Sequence, residues 1–187
     1  MTNSCKVCCS NLFNEPIFSL DNMPKSAQGF AKSKSESIEN SSGILVEVFQ
    51  CSSCGLVQLN NEPVPYYKDV IRAAGYSQEM KEYRIKQFSK FLQEYDLLGK
   101  KVLEVGCGRG EYLTLMKESG ALAYGIEHSQ ESVMLCNDRG LDVSSCYLDS
   151  SFKKIPDAPF DAFFILNFLE HVPEINQMLQ AISSNIT

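Results

Sequence analysis

The run Val102-Leu-Glu-Val-Gly-Cys-Gly-Arg-Gly110 leaves this chain few folds to choose from. An apolar strand that runs into three alternating glycines gives a backbone able to turn tightly at positive φ. It also lets a ligand come close where a Cβ would block it. Glu104 stands at the end of that strand, so the turn carries an acid beside its open face. The pattern is Glu-x-Gly-x-Gly-x-Gly, which differs from the Gly-x-Gly-x-x-Gly of dinucleotide folds. No Lys-Ser or Lys-Thr follows, which excludes a phosphate-cradling loop. A site for a nucleotide-like cofactor of another kind is expected, and the competing reading is a plain glycine-rich turn.

The residues that follow repeat a strand, turn, helix, glycine rhythm. Glu111 to Ser119 reads as a helix carrying Tyr112, Leu113, Leu115 and Met116, closed by Gly120. Ala121 to Ile126 is a short apolar strand ending in Glu127. An acid at the end of the second strand of a βαβ unit is placed to accept hydrogen bonds from both ribose hydroxyls of a nucleoside. Ser129 caps a helix through Arg139, and Gly140 closes it. Phe160 to Leu166 is almost wholly apolar, which predicts a central strand buried on both faces. It runs into Asn167-Phe-Leu-Glu-His-Val-Pro173 and a helix over Glu174 to Ser183. Four strands with helical crossovers predict an α/β fold with a parallel sheet.

These segments resemble class I S-adenosylmethionine (SAM) methyltransferases: the glycine run matches motif I, Glu127 the ribose acid, and Asn-x-Leu-Glu-His-Val-Pro the segment after the fourth strand. The resemblance implies a Rossmann-like sheet whose glycines border the methionine half of SAM. It implies cofactor contacts from Glu104, Gly106, Gly108, Gly110, Glu127 and Asn167. The third strand departs from the family, with Cys146-Tyr-Leu-Asp149 where an acid such as Gly-Asp is usual, and this leaves the adenine contact unassigned.

The N-terminal third carries a separate signal. Cys5-Lys-Val-Cys8 and Cys51-Ser-Ser-Cys54 are two Cys-x-x-Cys knuckles. Two residues between cysteines let one turn present both sulfurs to a tetrahedral metal, and zinc is the expected ion. Iron held by the same four cysteines also satisfies the spacing. Residues 1–10 contain no apolar signal segment, so an oxidising compartment and disulfides are not expected. Cys9 is a spare sulfur beside the first knuckle. Cys107, Cys136 and Cys146 read as small buried hydrophobes. A metal joining the knuckles would supply about 10 to 16 kcal/mol to a module with little core of its own. A stretch poor in large apolar residues, Ser33 to Gly43, reads as an exposed loop or hairpin tip, and Gly55 to Leu59 as a strand.

Organisation follows from these landmarks: a zinc-binding module over residues 1–68, a helical connector over 69–98, and a SAM-binding domain over 99–187. Between the two domains, Pro63, Tyr66, Tyr67 and Arg72 lead into an amphipathic helix from about Gln78 to Tyr95. Its expected buried face is Met80, Tyr83, Phe88, Phe91, Leu92 and Tyr95. A net charge of −6 argues against a nucleic-acid surface, which needs clustered Lys and Arg. No apolar stretch reaches the length of a membrane span, so a soluble, cytoplasmic protein without membrane partners is expected.

The double knuckle, the Tyr-rich connector and the Glu-Val-Gly-Cys-Gly-Arg-Gly run together resemble the nucleotide-sugar C-methyltransferases. That family binds zinc in its N-terminal module, SAM in its central domain and a sugar nucleotide through a further C-terminal domain. Lys25-Ser-Ala-Gln28 departs from the Leu-Ala-Asn usual after Pro, and His128 stands where Pro usually follows the acid. The resemblance implies C-methylation of a keto-sugar nucleotide, a small-molecule substrate. A base is needed beside the keto group. His171 suits it by its pKa class and its place after the fourth strand, with Glu170, Tyr66 and Tyr67 assisting. Four strands where seven are usual lead to the expectation that the sheet is incomplete and the chain a fragment, inactive alone. The competing readings are an O- or N-methyltransferase for another small metabolite and a noncatalytic zinc-stapled remnant.

Overall fold

The computed structural model describes residues 3–24, 33–35, 43–63, 75–148 and 154–187. Two compact units divide the chain, Met1–Ile71 and Arg72–Thr187. The connector residues Tyr66, Tyr67 and Arg72, most of the Ser33 to Gly43 stretch, the Lys25 to Gln28 departure and Asp149 lie outside the described residues.

In the first unit, β1 (Phe18–Met23), β2 (Ile44–Gln50) and β3 (Val57–Leu59) form an antiparallel sheet in that order. The predicted strand from Gly55 starts two residues later, because Gly55 is spent on a left-handed turn at φ +77°. Phe18 pairs with Val48 and Val48 with Leu59, so these three share one face. Phe49 and Gln58 pair on the other face. Phe49 packs there with Cys5, Leu12 and Cys51, the buried apolar cluster among the described residues of the unit, with Leu56 against it. Four buried apolar residues are a small core among the described residues, which gives the cysteine cluster described below a large share in holding them together.

In the second unit, α1 (Gln78–Glu94) starts at Ser77, whose hydroxyl accepts a 3.1 Å bond from the Met80 amide. Its buried stripe is narrower than predicted: Phe88 and Leu92 are buried with Ile85 and Phe91 packed beside them, whereas Met80, Tyr83 and Tyr95 are exposed. Then β4 (Lys101–Val105), α2 (Glu111–Glu118), β5 (Leu122–Glu127) and α3 (Gln130–Asp138) follow the predicted rhythm within a residue or two, and β6 (Asp142–Ser145) ends just before the Cys146 segment quoted for the third strand. β7 (Ala162–Phe164), a turn of 3₁₀ helix at Leu169–His171 and α4 (Ile175–Ser183) complete the unit.

The sheet is parallel in the order β6-β5-β4-β7, with helices between strands, a Rossmann-like α/β fold. One core cluster gathers α1, α2 and α3 residues around Val102, Leu113 and Met116. A second gathers Leu103, Val105, Ile126, Phe160, Met178 and Ile182.

One strand differs from expectation. Phe160 to Leu166 was to be central and buried on both faces, but only Ala162–Phe164 pairs with β4, at an edge of the described sheet, and all three residues are half-buried. Phe160 is fully buried and makes a parallel bridge to Ile186 instead, its amide donating to the Asn185 carbonyl at 2.9 Å. The apolar run reflects two roles, a short strand and a core anchor, and composition alone does not separate them.

Candidate functional site

Parallel pairing puts the carboxyl ends of β4, β5, β6 and β7 on one edge of the sheet, the edge at which open α/β folds bind ligands. The glycine run leaves β4 there. Gly106, Gly108 and Gly110 take φ of +71°, +54° and +77°. The amides of Gly106 and Cys107 share the Ile126 carbonyl at 3.0 and 3.1 Å, which ties the loop to β5. The Gly110 amide closes the turn on the Cys107 carbonyl at 2.9 Å.

A Cβ on Gly106 would stand 2.8 Å from the Phe168 ring, and one on Gly110 would stand 2.5 Å from Leu141. The protein's own packing therefore demands these glycines, quite apart from any ligand. Phe168 reaches Gly106 because Asn167 turns the chain at φ +52°, a conformation that Asn tolerates better than most residues. Asn167 itself is exposed.

Glu127, at the end of β5, makes the most informative contacts of the site. Its Oε2 accepts the Gly108 amide at 2.8 Å and its Oε1 accepts the Ser129 amide at 2.9 Å. One carboxylate thus clamps the glycine loop to the start of α3. A carboxylate has about four acceptor positions, so two remain for a ligand's hydroxyls. Glu104 is 2% exposed, a carboxyl group set inside the sheet beside the loop. His128 is exposed and meets the Tyr147 ring edge-on at 5.7 Å between centroids. His171 Nε2 lies 3.9 Å from Glu170 Oε1, in the 3₁₀ turn that follows Phe168. Loop, acid and histidine segment all rise from strand ends on one edge, and this is the placement predicted for them; Tyr66 and Tyr67 lie outside the described residues.

The four knuckle cysteines converge. Cys5, Cys8, Cys51 and Cys54 have Sγ atoms all within 4.8 Å of one another, with Cys5 to Cys54 at 3.7 Å and Cys8 to Cys51 at 3.4 Å. A tetrahedral zinc with sulfurs at about 2.3 Å needs sulfur pairs about 3.8 Å apart, so the cluster fits that ion.

Each knuckle repeats the same hydrogen bonds. The amides of Val7 and Cys8 point at Cys5 Sγ, and those of Ser53 and Cys54 at Cys51 Sγ, at 3.4 to 3.5 Å. Cys9 donates to the Cys5 carbonyl as Gly55 does to the Cys51 carbonyl, at 3.0 and 3.2 Å. Such amides stabilise thiolates. The Ser10 hydroxyl and amide hold the Cys8 thiol down at about 6. Cys51 is lowered, chiefly by the Cys54 amide. Cys54 is pushed up to about 12 because the neighbouring Cys8 and Cys51 thiols and burial outweigh the lowering bond from Leu56.

Three contributors escaped the sequence reading. Phe168 gives the loop a wall, and nothing in its local pattern marks it. Gln58, 8% exposed in β3, accepts the Lys6 amide at 2.9 Å and donates to the Ser4 carbonyl at 3.3 Å, fixing the first knuckle to the sheet. A lone Gln at an inward position of a strand was the available signal. Cys9 occupies at φ +61° the left-handed position that Gly55 holds in the second knuckle, which the parallel spacing of the two motifs shows in retrospect.

Comparison with known proteins places these features. The family described as methionine biosynthesis protein MetW matches residues 87–183. Ubiquinone biosynthesis O-methyltransferases from Idiomarina loihiensis and Pseudomonas entomophila are 33% and 30% identical over 91 and 95 residues. Those matches cover 46% and 48% of this chain and 37% and 40% of the relatives, so the chain spans well under half of their length. Among solved structures, the magnesium protoporphyrin IX methyltransferase of Synechocystis PCC 6803 with bound SAM aligns at 18% identity. Its TM-score is 0.47, over 61% of this chain and 62% of that one. An amino pentose methyltransferase from Micromonospora echinaspora, also with SAM, aligns at 20% identity and TM-score 0.46, over 63% and 55%. The matched family model spans the glycine loop, Glu127 and the Glu170-His171 segment, and the chain belongs to the family of methionine biosynthesis protein MetW.

Proposed function

We propose that the chain is the cofactor-binding part of a SAM-dependent methyltransferase. The observation that carries this reading is Glu127: its carboxylate holds the Gly108 amide and keeps acceptor positions for a ribose diol at the same sheet edge. Gly106, Gly108 and Gly110 hold the loop in its tight positive-φ turn, Glu104 supplies a buried carboxyl beside them, and Asn167 lies where the chain leaves β7. SAM, when bound, supplies an electrophilic methyl group. The relatives named as O-methyltransferases support the transferase class. Titration calorimetry of the whole chain with SAM and with NAD tests the assignment: SAM binding is expected, and NAD binding without SAM would refute it.

A zinc ion at Cys5, Cys8, Cys51 and Cys54 completes the proposal, and the fit of the sulfur cluster to a tetrahedron supports it. The finer reading is methylation of a carbon in a keto-sugar nucleotide, and its support is the pairing of a four-thiol module with this sheet. In that reaction His171, steered by Glu170 at 3.9 Å, takes the proton beside the keto group, with Tyr66 and Tyr67 as assisting groups. O-methylation of another small metabolite is the second reading, favoured by the named relatives. Exchange of the substrate's acidic C–H with deuterated water separates them. Exchange slowed at least about tenfold by His171→Asn supports the base role, given the 10²- to 10⁴-fold usual for acid–base catalysis. Methylation of a hydroxyl without exchange supports the second reading.

A further inference from the structure

A groove of about 550 Å³ opens on the second unit beside α2, and none of the residues assigned to the cofactor edge lines it. Small-molecule sites measure about 300 to 1,000 Å³, so the groove has the size of one. Its floor is fixed from within. Leu141 is buried and lies 2.5 Å from the point where a Cβ on Gly110 would stand. Thr114 Oγ1 donates to the Gly110 carbonyl at 2.7 Å. Tyr76 forms an aromatic wall, its ring stacked on Tyr112 at 6.0 Å between centroids.

The charged lining decides which molecule fits. The chain carries 17 basic residues against 23 acidic ones, yet Lys117 and Arg139 face this groove with no carboxylate partner among the described residues. Lys117 donates to the Gly140 carbonyl at 2.8 Å, which brings its ammonium to the end of α3, where Arg139 stands. An ammonium has three donors and a guanidinium five. Arg139 spends one of its donors on a 3.5 Å contact with the Arg109 carbonyl, so most donors of the two side chains remain for a ligand. The groove also holds two acids. Lys81 pairs with Glu118 at 3.2 Å and neutralises it. A carboxylate offers about four acceptor positions, so Glu111 can take a ligand hydroxyl beside any bond it makes within the chain.

We propose that this groove binds a small sugar phosphate, with the phosphate on Lys117 and Arg139 and sugar hydroxyls on Glu111. A phosphate has oxygens enough to meet a point charge and a planar fork together, the combination these two side chains present. Glu111 repels a second anionic group and accepts only from donors, which selects a hydroxylated body over a polyphosphate. The two acids and the net charge of −6 exclude a nucleic-acid backbone as the occupant. Tyr76 and Leu141 cover the apolar edge of the sugar ring. The site rests on neither the SAM reading nor the zinc reading.

Calorimetric titration of the whole chain with ribose 5-phosphate and with inorganic phosphate tests it. Saturable binding of ribose 5-phosphate is expected, tighter than that of inorganic phosphate. Arg139→Gln and Lys117→Gln should each weaken it by about 10- to 100-fold, the scale of a hydrogen bond to a charged group. Lys117→Gln also gives up the Gly140 bond, whereas Arg139→Gln gives up only a long contact and reads the site without that loss. Glu111→Gln should weaken ribose 5-phosphate and leave inorganic phosphate unchanged. Lys90→Gln, an exposed cation on α1, should change neither. Amide chemical shifts should move at Tyr76, Thr114, Gly140 and Leu141. No saturable binding at millimolar concentrations would overturn the proposal, as would unchanged affinity in Arg139→Gln or an equal loss in Lys90→Gln. Shifts confined to Gly106, Gly108 and Glu127 would move the ligand to the cofactor edge and overturn it too. Equal affinity for the two probes would overturn the sugar assignment.

Discussion

Glu127→Gln isolates the clamp on the glycine loop. The carboxylate accepts two backbone amides, Gly108 at 2.8 Å and Ser129 at 2.9 Å. Glutamine has one oxygen, so whichever amide keeps it, the other faces an N–H₂ group and loses its partner. Hydrogen bonds to a charged group are worth about 1.5 to 3 kcal/mol each. Glu127 is half-buried, so water makes good part of the loss and the low end applies, about 1.5 to 2 kcal/mol. The melting midpoint should fall by about 5 to 10 °C for a domain of this size. Urea unfolding followed by circular dichroism measures the stability, and amide hydrogen exchange at Gly108 reports the loop directly. Both should change without any cofactor present. A variant within about 0.5 kcal/mol of the parent, the range of ordinary surface substitutions, with Gly108 equally protected, would refute the clamp.

Gly110→Ala should destabilise by about 2 to 4 kcal/mol, combining left-handed strain with the 2.5 Å approach to Leu141. Gly140→Ala has nothing within 4 Å of its Cβ and should cost only the strain, about 1 to 2 kcal/mol, so paired denaturation curves separate the two effects. Elemental analysis should find about one zinc per chain. Chelation or Cys5→Ser should unfold the first unit, seen as lost amide protection across β2. Cys9→Ser should leave the metal unchanged, and Cys9→Gly should stabilise by about 1 kcal/mol in chemical unfolding, because Cys9 holds φ +61°. Asn185→Ala should cost about 2 to 3 kcal/mol by calorimetry: this buried amide accepts from Ile155 at 2.8 Å and donates to Ala181 at 2.7 Å.

Local signals made the order of elements in the second unit legible, since glycines and caps punctuate it. Ser129 caps its helix as its place before an apolar period suggests, and Gly120 and Gly140 follow helices at positive φ. The register between strands and the edge position of β7 were not legible, because an apolar run such as Phe160 to Leu166 looks alike whether it pairs or anchors a core. Cofactor candidates were readable as residue types at strand ends. Their mutual contacts were not: that Glu127 holds Gly108, or that Phe168 walls Gly106, depends on separations of 19 and more residues closed by the fold. Cysteine spacing marked the thiol cluster in advance.

The distance along the chain between the two knuckles has a consequence in time. Cys8 and Cys51 are 43 residues apart, yet their sulfurs meet at 3.4 Å. At about 5 to 20 residues per second, a ribosome releases the second pair roughly 2 to 9 s after the first. During that interval the nascent chain exposes half a cluster: two thiols with neither their partners nor β2 and β3 to pack against. Bringing the halves together costs about 3 kcal/mol in chain entropy. The four-sulfur cluster therefore cannot close until Cys51 and Cys54 have been made, however early Cys5 and Cys8 emerge.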